Sequence, residues 1–449
     1  LPTPKLMESG PFGASCPSQH GGRAPVVMIP PTIANRMQAL DPGVLVNVLT
    51  PRDTAEAAFW LKRYLATTLG GPETATANGG IFGVFGGVNV AVAGNWIGTA
   101  GTGTTGTGNT DEGIDLAGSR AIIGGTGPYD RNVITNNGDE GITIVGSGIT
   151  SHVIRGNYIG LNPDGSSGSG NVDVGVAIIS GSGNTIGGTT AGARNVISKN
   201  YEGLEINTSS NVVQGNYVGT DAGGTLNRGN RSDDGVEIQG SSTGNVVGGT
   251  AVGAGNVIAF NALAGVKVVN GSSHSVLGNS IFSNTGLGID LGASGVLAND
   301  SGDADTGANN GQNYPVLTKA VTTGNLVEVT GTLNGTANSA FRVEFFSSAT
   351  ADGSTNGEGQ AYVGAADVVT NASGNATFAA TLPAPIGVGA APGPTSNRRR
   401  PSSTPSSEPT IWFEPTANIA FARLNVRLGS RRSTAVASAS ESVSLYIEW

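Results

Sequence analysis

The stretch NTDEGIDL, residues 109–116, contains the four-residue unit that decides the fold: a glycine, an apolar residue, any residue and a second apolar residue. The unit recurs as GITI at 141–144, GVAI at 175–178, GLEI at 203–206, GVEI at 235–238, GVKV at 265–268 and GIDL at 288–291. Successive units begin 28, 34, 28, 32, 30 and 23 residues apart. Repeats of this length predict a solenoid in which each unit forms one turn.

Within each unit, short runs alternate apolar and polar residues and end in Gly, Asn, Ser or Thr. The alternation is typical of β-strands, and the flanking residues are typical of turns. Between residues 80 and 312 no 3.6-residue pattern is long enough for a helix. We therefore predict an all-β fold: a right-handed parallel β-helix of about seven or eight coils at 80–312, with equivalent residues about 4.8 Å apart.

Two apolar columns define the register, because a shift of one residue would turn both of them outward. The first column contains Ile114, Ile142, Val176, Leu204, Val236, Val266 and Ile289, and the second contains Leu116, Ile144, Ile178, Ile206, Ile238, Val268 and Leu291. Asparagines also match between units, in the sets Asn132, Asn195, Asn256 and Asn95, Asn157, Asn216, Asn279. Stacked asparagines hydrogen-bond from one layer to the next, so we predict a structural role for both sets.

The flanking segments predict further parts of the molecule. Residues 1–79 contain a helical pattern at 53–69, which we expect to cap the first coil, and residues 313–383 alternate like a small Ig-like β-sandwich. Residues 384–410 form a Pro/Ser/Arg-rich linker, and the fold of the tail 411–449 stays open. The first residues carry neither a starting Met nor a signal-peptide pattern, which predicts a mature or truncated chain.

Composition excludes several classes of protein. The net charge is −9, and residues 80–312 hold 8 basic and 18 acidic side chains, which argues against nucleic-acid binding. The single cysteine, Cys16, excludes an intramolecular disulfide and a zinc cluster built on several cysteines. No run of 18 apolar residues occurs, so we predict no membrane span.

The GxxI and NxIxxN repeats of residues 80–291 resemble those of secreted bacterial-type right-handed parallel β-helix proteins, the pectate-lyase-like superfamily. The resemblance implies the fold and an extracellular or cell-surface location. It leaves the function open, because that superfamily contains lyases, glycoside hydrolases, epimerases, adhesins and phage tailspikes.

Two motifs resemble those of one hydrolase family in the superfamily, the polygalacturonases. The stretch at 109–116 resembles a motif that implies a catalytic carboxylate at Asp111, and SDDG at 232–235 resembles a paired-aspartate motif that implies Asp233 and Asp234. The two motifs lie about four coils apart, so they cannot share one site. Gly-His-Gly and the basic motif of that family are missing from this chain.

Acidic residues precede the glycine of most units and also occupy the outward position of several first strands. The predicted ridge contains Asp111, Glu112, Asp115, Asp139, Glu140, Asp173, Glu202, Glu205, Asp233, Asp234, Glu237 and Asp290. Paired carboxyls with different pKa values serve glycoside hydrolysis, whereas ionised carboxylates also bind Ca²⁺. A site should be central in the ridge, so the catalytic candidates are Asp139, Glu140, Asp173, Glu202 and Glu205.

Trp96, Tyr158 and Tyr217 occupy one position in alternate coils, about 10 Å apart and predicted to point outward. They would stack the sugars of an extended chain; alternatively, the rings pack under the Gly-rich insertions. Candidates for neutralising a uronate are Arg155, Arg194 and Lys199. Three carboxylates in a Gly-rich loop, Asp300, Asp303 and Asp305, suit either Ca²⁺ or a solvated turn. The three histidines, His20, His152 and His274, are predicted to be surface residues.

Three functional hypotheses follow. The first is a secreted or cell-surface protein that binds a polysaccharide or forms part of an envelope or matrix, favoured because no basic or histidine-containing catalytic set is present. The second is a glycoside hydrolase or polysaccharide lyase that uses the acidic ridge. The third is a self-assembling fibre subunit, because stacked coils can polymerise edge to edge.

Overall fold

The computed structural model describes residues 91–99, 108–127, 129–146, 148–323, 325–348 and 358–383, together with strands at Arg423–Val426 and Glu441–Glu448. The predicted capping helix at 53–69, the linker 384–410 and His20 lie outside the described residues. Two short 3-10 helices, Ala191–Ala193 and Ala308–Gly311, are the helical segments within them.

Three parallel sheets of seven strands each form the walls of a right-handed parallel β-helix with seven coils, which confirms the predicted fold. Sheet 1 contains β3 (Ile114–Leu116), β6 (Ile142–Ile144), β9 (Val174–Ile178), β12 (Glu202–Ile206), β15 (Val236–Ile238), β18 (Val266–Val268) and β21 (Ile289–Leu291). Sheet 2 contains β1 (Ala91–Val92), β4 (Ile122–Gly124), β7 (Val153–Arg155), β10 (Thr185–Gly187), β13 (Val212–Gln214), β16 (Val246–Gly248) and β19 (Ser275–Leu277). Sheet 3 contains β2 (Trp96–Ile97), β5 (Val133–Ile134), β8 (Tyr158–Ile159), β11 (Val196–Ile197), β14 (Tyr217–Val218), β17 (Val257–Ala259) and β20 (Ser280–Phe282).

Both predicted apolar columns lie inside the coils. Leu204 pairs with Val176 on one side and with Val236 on the other, and all three are fully buried. The last coil is less covered, since Ile289 and Leu291 are only partly buried against the core. The predicted register is therefore confirmed, and one continuous apolar core runs along the β-helix.

A glycine opens each unit of sheet 1 because the next coil lies directly against it. A Cβ atom on Gly203 would lie 2.2 Å from the carbonyl oxygen of Gly235, and one on Gly235 would lie 2.6 Å from that of Gly265. No side chain fits at these distances, so the glycine of the repeat lets successive coils approach closely at this position.

The first corner ladder, between sheets 2 and 3, joins both predicted asparagine sets into one row. Its members are Asn95, Asn132, Asn157, Asn195, Asn216, Asn256 and Asn279. Each of the first six donates both its backbone N–H and its Nδ2 to the Oδ1 of the next asparagine along the row. The structural role predicted for these asparagines is confirmed, because the bonds satisfy buried polar groups at every corner.

The other two corners have ladders of the same kind. The second ladder, between sheets 3 and 1, contains Asn109, Asn137, Asn171, Asn200, Asn230, Asn261 and Asn284. The third, between sheets 1 and 2, contains His152, Asn184, Asn211, Asn245, His274 and Asn309. The prediction that His152 and His274 are surface residues is wrong: both are fully buried, and each Nδ1 accepts a backbone N–H.

Two antiparallel sheets follow the β-helix. Sheet 4 contains β22 (Val316–Thr323), β23 (Leu326–Asn334) and β26 (Asn375–Pro383), and sheet 5 contains β24 (Ala340–Ser348), β25 (Ala361–Val369), β27 (Arg423–Val426) and β28 (Glu441–Glu448). A shared core, which includes Val329, Val343, Phe345 and Phe378, packs between them. Strands from the tail 411–449 thus complete sheet 5, because β28 pairs with both β24 and β27.

Residues in sheet 5 and in the loop before β25 cover the last coil. Glu358 accepts hydrogen bonds from the backbone N–H and Nδ2 of Asn284, the last residue of the second ladder. Glu344 accepts the N–H of Gly278, and Phe346 joins the apolar core of the β-helix. The C-terminal edge of the solenoid is therefore closed by hydrogen bonds and apolar packing.

Candidate functional site

An acidic face covers the outer side of sheet 1 over the first five coils. We define it by Asp111, Glu112, Asp115, Asp139, Glu140, Asp173, Glu202, Glu205, Asp233, Asp234 and Glu237. Backbone pairing aligns these residues; for example, Glu205 lies between Ala177 and Glu237 on the neighbouring strands. All five catalytic candidates proposed from the sequence lie on this face.

The acidic face ends at an ion pair. Lys267 Nζ lies 2.5 Å from Asp290 Oδ2, and both side chains are buried. Lys267 is the one basic residue in the strands of sheet 1, and Asp290 neutralises it. Asp290, predicted to be an outward member of the ridge, is therefore a partner in a buried ion pair.

Three of the candidates meet at the second and third coils. Asp139, Glu140 and Asp173 each offer one carboxyl oxygen, and these oxygens lie within 4.8 Å of one another. Burial, together with the nearby charges of Asp139, Glu112 and Asp173, raises the pKa of Glu140 to about 7. Burial is also the largest cause that raises the pKa of Asp139 and of Asp173. A carboxyl group that is partly protonated at neutral pH thus lies among other carboxyls.

Glu202 is one of the two buried carboxyl residues of the acidic face, with 6% of its surface exposed, and Asp234 with 4% is the other. Glu202 aligns with Val174 on the preceding strand, and its Oε1 is buried without a hydrogen-bond partner among the described residues. Burial, followed by the charges of Glu237 and Asp233, raises its pKa to about 10. Glu202 is therefore protonated at neutral pH and can donate a proton.

Glu205, on the same strand as Glu202, is held from two sides. Its Oε1 accepts a hydrogen bond from Asn207 Nδ2 at 2.7 Å and another from Gln239 Nε2 at 2.6 Å. The second of these bonds reaches across to the next coil, so Glu205 is fixed in orientation by two coils. The carboxylate is thus pre-positioned on the outer surface of sheet 1.

Asp233, Asp234 and Glu237 complete the face, although none was among the five candidates chosen from the sequence. One oxygen of each lies within 4.8 Å of the others. Burial, then the charge of Asp233, raises the pKa of Asp234 to about 7, although its Oδ1 accepts the N–H of Ala264. The sequence had placed all three in the ridge, and SDDG at 232–235 had pointed to Asp233 and Asp234, but the choice of central residues left them out of the five candidates.

The aromatic rings of sheet 3 were predicted either to stack sugars or to pack under the Gly-rich insertions, and the structure shows them packed under the insertions. Tyr158 is 8% exposed and packs with Leu161, while Trp96 and Tyr217 are partly buried in the same cluster. The insertion after β8 contacts the insertion after β14, since the N–H of Ala222 donates to Gly165 O. These insertions cover the rings because they are long enough to fold back over sheet 3.

Arginines cover two of the same rings. The guanidinium of Arg131 lies 3.9 Å from the ring centroid of Tyr158, and that of Arg194 lies 4.0 Å from the centroid of Tyr217. Arg194 lies at the corner between sheets 2 and 3, and its cation–π contact with Tyr217 holds its guanidinium there. Arg155 lies on β7 of sheet 2. The structure thus does not bring Arg194 or Arg155 to the acidic face, where a bound uronate would need them.

Lys199, the third basic candidate, lies at the corner that leads into the acidic face. It precedes Asn200 of the second ladder, and its φ of 68° is left-handed. Its N–H donates to Arg228 O, in the insertion of the next coil. Lys199 is therefore a corner residue beside the face and not one of its outward strand positions.

The predicted Ca²⁺ ligands lie in the loop between β21 and β22. Asp300, Asp303 and Asp305 offer oxygens within 4.8 Å of one another. Asp300 accepts the N–H of Ala304, and Asp303 accepts that of Asn313. Oδ1 of Asp305 is buried and has no hydrogen-bond partner among the described residues. Carboxylate oxygens are the type of ligand that Ca²⁺ prefers.

Comparison with known proteins adds no assignment. No protein-family model matches this sequence, and a search of curated proteins finds no significant relative. Among the described residues, no helix has the length and apolar character needed to cross a bilayer.

Proposed function

We propose that this chain is an extracellular or cell-surface β-helix protein that binds a polysaccharide along the acidic face, as a component of an envelope or matrix. One observation carries the proposal: each of five successive coils places at least one carboxyl group on the same face of sheet 1. Four steps of about 4.8 Å give a row about 19 Å long, which suits a linear polymer better than a small molecule.

Sugar hydroxyls supply the chemistry for such binding, because they donate hydrogen bonds to carboxylate oxygens. Charge-assisted bonds of this kind are stronger than neutral ones. The rigid core and the three corner ladders hold these acceptors at fixed spacing, which lowers the entropy lost when a polymer binds. The repeats that resemble those of the pectate-lyase-like superfamily also support a glycan ligand.

A second candidate function is glycoside hydrolysis, favoured by the group Asp139, Glu140 and Asp173. Retaining glycosidases use two carboxyl groups about 5 Å apart, one as acid and one as nucleophile. Glu140, with its raised pKa, would protonate the leaving oxygen, and Asp173 would attack the anomeric carbon. The oxygens within 4.8 Å of one another support this arrangement.

The loop at 299–313 supports a separate structural proposal, a Ca²⁺ site formed by Asp300, Asp303 and Asp305. Bound Ca²⁺ would stabilise the connection between the last coil and sheet 4, because ligands that bind only the folded state raise its stability. We expect CaCl₂ to raise the Tm of the wild type but not that of Asp305→Asn. An equal rise in both proteins would contradict the site.

A panel of neutral and acidic polysaccharides, with and without Ca²⁺, distinguishes the two functions. Binding would be measured by calorimetry and products by mass spectrometry. Binding without products supports the first function. Oligosaccharide products that Glu140→Gln abolishes, while the exposed control Glu328→Gln retains them, support hydrolysis. Neither binding nor products with any polysaccharide contradicts both.

A further inference from the structure

One row of the acidic face lies two residues before the glycine of each unit. Tyr201 occupies this position on the fourth coil, and the other four members are Asp111, Asp139, Asp173 and Asp233. The N–H of Tyr201 donates to Asp173 O at 3.0 Å, and Asp233 donates its own N–H to Tyr201 O at 3.2 Å. Tyr201 is therefore flanked by an aspartate on each neighbouring coil, and Glu202 follows it directly. An aromatic ring thus interrupts the row near its centre.

The ring of Tyr201 is accessible, unlike the aromatic rings on sheet 3. Tyr201 is 43% exposed, whereas Tyr158 is 8% exposed and lies under Arg131. Among the described aromatic residues of the seven coils, Tyr129 is the other exposed one, and it lies between β4 and β5, away from sheet 1. An exposed aromatic side chain beside aligned polar groups is a common element of binding surfaces.

The charges around Tyr201 select against an anionic ligand. Eleven carboxyl residues form the acidic face, and the lysine of sheet 1 is paired with Asp290. Arg231, at the neighbouring corner, donates to the carbonyl oxygens of Ser169 and Asn171. A polymer of uronic acids would bring like charge against the face, whereas a neutral sugar offers hydroxyl donors and an apolar ring face.

We propose that the acidic face binds an uncharged glycan, with one sugar ring stacked on Tyr201 and hydroxyls donating to Asp173, Glu205 and Asp233. This inference rests on the proposed polysaccharide binding and specifies its ligand class and its central contact. The ring supplies apolar contact on one face of the sugar, and the flanking carboxylates bind its edge.

The test is isothermal calorimetry in EDTA with neutral hexasaccharides of glucose, mannose and xylose, and with oligomers of galacturonate and alginate. Tyr201→Ala should weaken binding of the neutral ligand about fivefold, since an aromatic contact contributes roughly 1 kcal/mol. Tyr201→Phe keeps the ring and should bind within about twofold of the wild type. Tyr129→Ala is the matched control and should leave binding unchanged.

The outcomes separate the inference from the function on which it rests. If the wild type binds a neutral ligand and the Tyr201→Ala variant binds it equally well, the role of Tyr201 is overturned. Binding of the acidic oligomers alone, in EDTA or after addition of Ca²⁺, overturns the neutral ligand class. No binding by the wild type to any ligand overturns the proposed polysaccharide binding itself, and the inference with it.

Discussion

Glu202 shows how one position on the acidic face acquires its chemistry. The residue aligns with Val174 on one side, its carboxyl group is buried, and Oε1 lacks a hydrogen-bond partner among the described residues. An ionised carboxylate in this place would lose hydration without gaining a donor, so the folded state favours the protonated form.

The substitution Glu202→Gln should stabilise the protein at neutral pH. The pKa of Glu202 is about 10 in the folded state and near 4.5 when exposed, so the folded state binds the extra proton between these values. The contribution of Glu202 to the free energy of unfolding is therefore fully present below about pH 4.5 and is lost progressively as the pH rises toward 10. Gln mimics the protonated form, and we expect a gain of about 3 kcal/mol at pH 7.

Urea unfolding at pH 4 and pH 7 measures this effect. The gain should vanish at pH 4, where the carboxyl group is protonated in both states. Glu328→Gln is the control, because Glu328 is exposed on β23. If Glu202→Gln and the wild type had equal free energies of unfolding at both pH values, the buried, protonated state of Glu202 would be contradicted.

At the scale of residues, the sequence identified the row of carboxyl groups but not their environments. The offset of Asp139, Glu140 and Glu205 from a glycine predicted that they share one face. The burial of Glu202 depends on Val174, which is 28 residues away, and on how closely the coils approach. The pairing of Lys267 with Asp290 depends in the same way on the next coil. Such effects require the folded geometry.

At the scale of elements, the corner ladders join each coil to the next through buried hydrogen bonds. Asn195 shows the pattern: its Oδ1 accepts from the N–H and Nδ2 of Asn157, and its Nδ2 donates to Asn216 Oδ1 and Ile154 O. All of these groups are buried. Removal of one member therefore leaves several polar groups without partners.

We predict that Asn195→Ala lowers the free energy of unfolding by about 3 kcal/mol, because buried donors on Asn157 lose their acceptor. Chemical denaturation measures the change. Asn162→Ala is the matched control, since Asn162 lies in a surface insertion and bonds to Ser167 there. Equal losses in the two variants would show that the ladder adds nothing specific.

The third ladder predicts a dependence of stability on pH. Burial lowers the pKa of His152 and His274 below 6.5, so the unfolded chain takes up protons first as the pH falls. Stability from these groups is present above about pH 6.5 and decreases below it. In the double variant His152→Asn, His274→Asn, each side-chain Oδ1 can accept the backbone N–H as Asn245 does. This variant should therefore lose less stability than the wild type as the pH falls.

Thermal unfolding at pH 7 and pH 5 tests this difference. The wild type should show the larger fall in Tm, and the double variant the smaller. Equal falls in both proteins would mean that the two histidines do not contribute to acid sensitivity.

The sequence predicted one ladder as two separate sets and missed the other two. The asparagines of the first ladder occur in recurring motifs, GNW, GNY or GNS and RNV or GNV, which made them recognisable. The third ladder contains both His and Asn, and the asparagines of the second ladder have neighbours that change from coil to coil. Without a constant residue type or constant neighbours, the sequence does not mark a column by itself.

At the scale of the whole molecule, the closure of the last coil limits self-association. Glu358 ends the second ladder, and Glu344 accepts the N–H of Gly278, which directly follows the last strand of sheet 2. This closure argues against filament growth from the C-terminal edge, which the sequence left open as a third hypothesis. The predicted N-terminal cap lies outside the described residues and stays a prediction.

Glu358→Ala should therefore destabilise the protein by about 2 kcal/mol, because the N–H and Nδ2 of Asn284 lose their acceptor. Chemical denaturation measures the loss, and light scattering reports any association through the uncovered edge. The exposed control Glu328→Ala should change neither. A fully stable, monomeric Glu358→Ala variant would contradict the capping role.

The presence of further strands after the coils was predictable, since strand patterns at 313–383 differ from those of the coils. The partnership of β28 with β24 was not, because about a hundred residues separate the two strands. Short-range alternation indicates that a strand exists, whereas its partner depends on packing across the whole chain. The fold of the tail therefore stayed open until the structure placed β27 and β28 in sheet 5.

The most direct test of the central claim, that the acidic face is the binding surface, is glycan calorimetry on a charge-matched pair of variants. Asp173→Asn with Glu205→Gln removes two carboxylates from the face, and Asp164→Asn with Glu328→Gln removes two from elsewhere. We predict that the first variant binds the neutral hexasaccharides at least about tenfold more weakly than the wild type, and that the second binds normally. Equal affinity in all three proteins would contradict the claim.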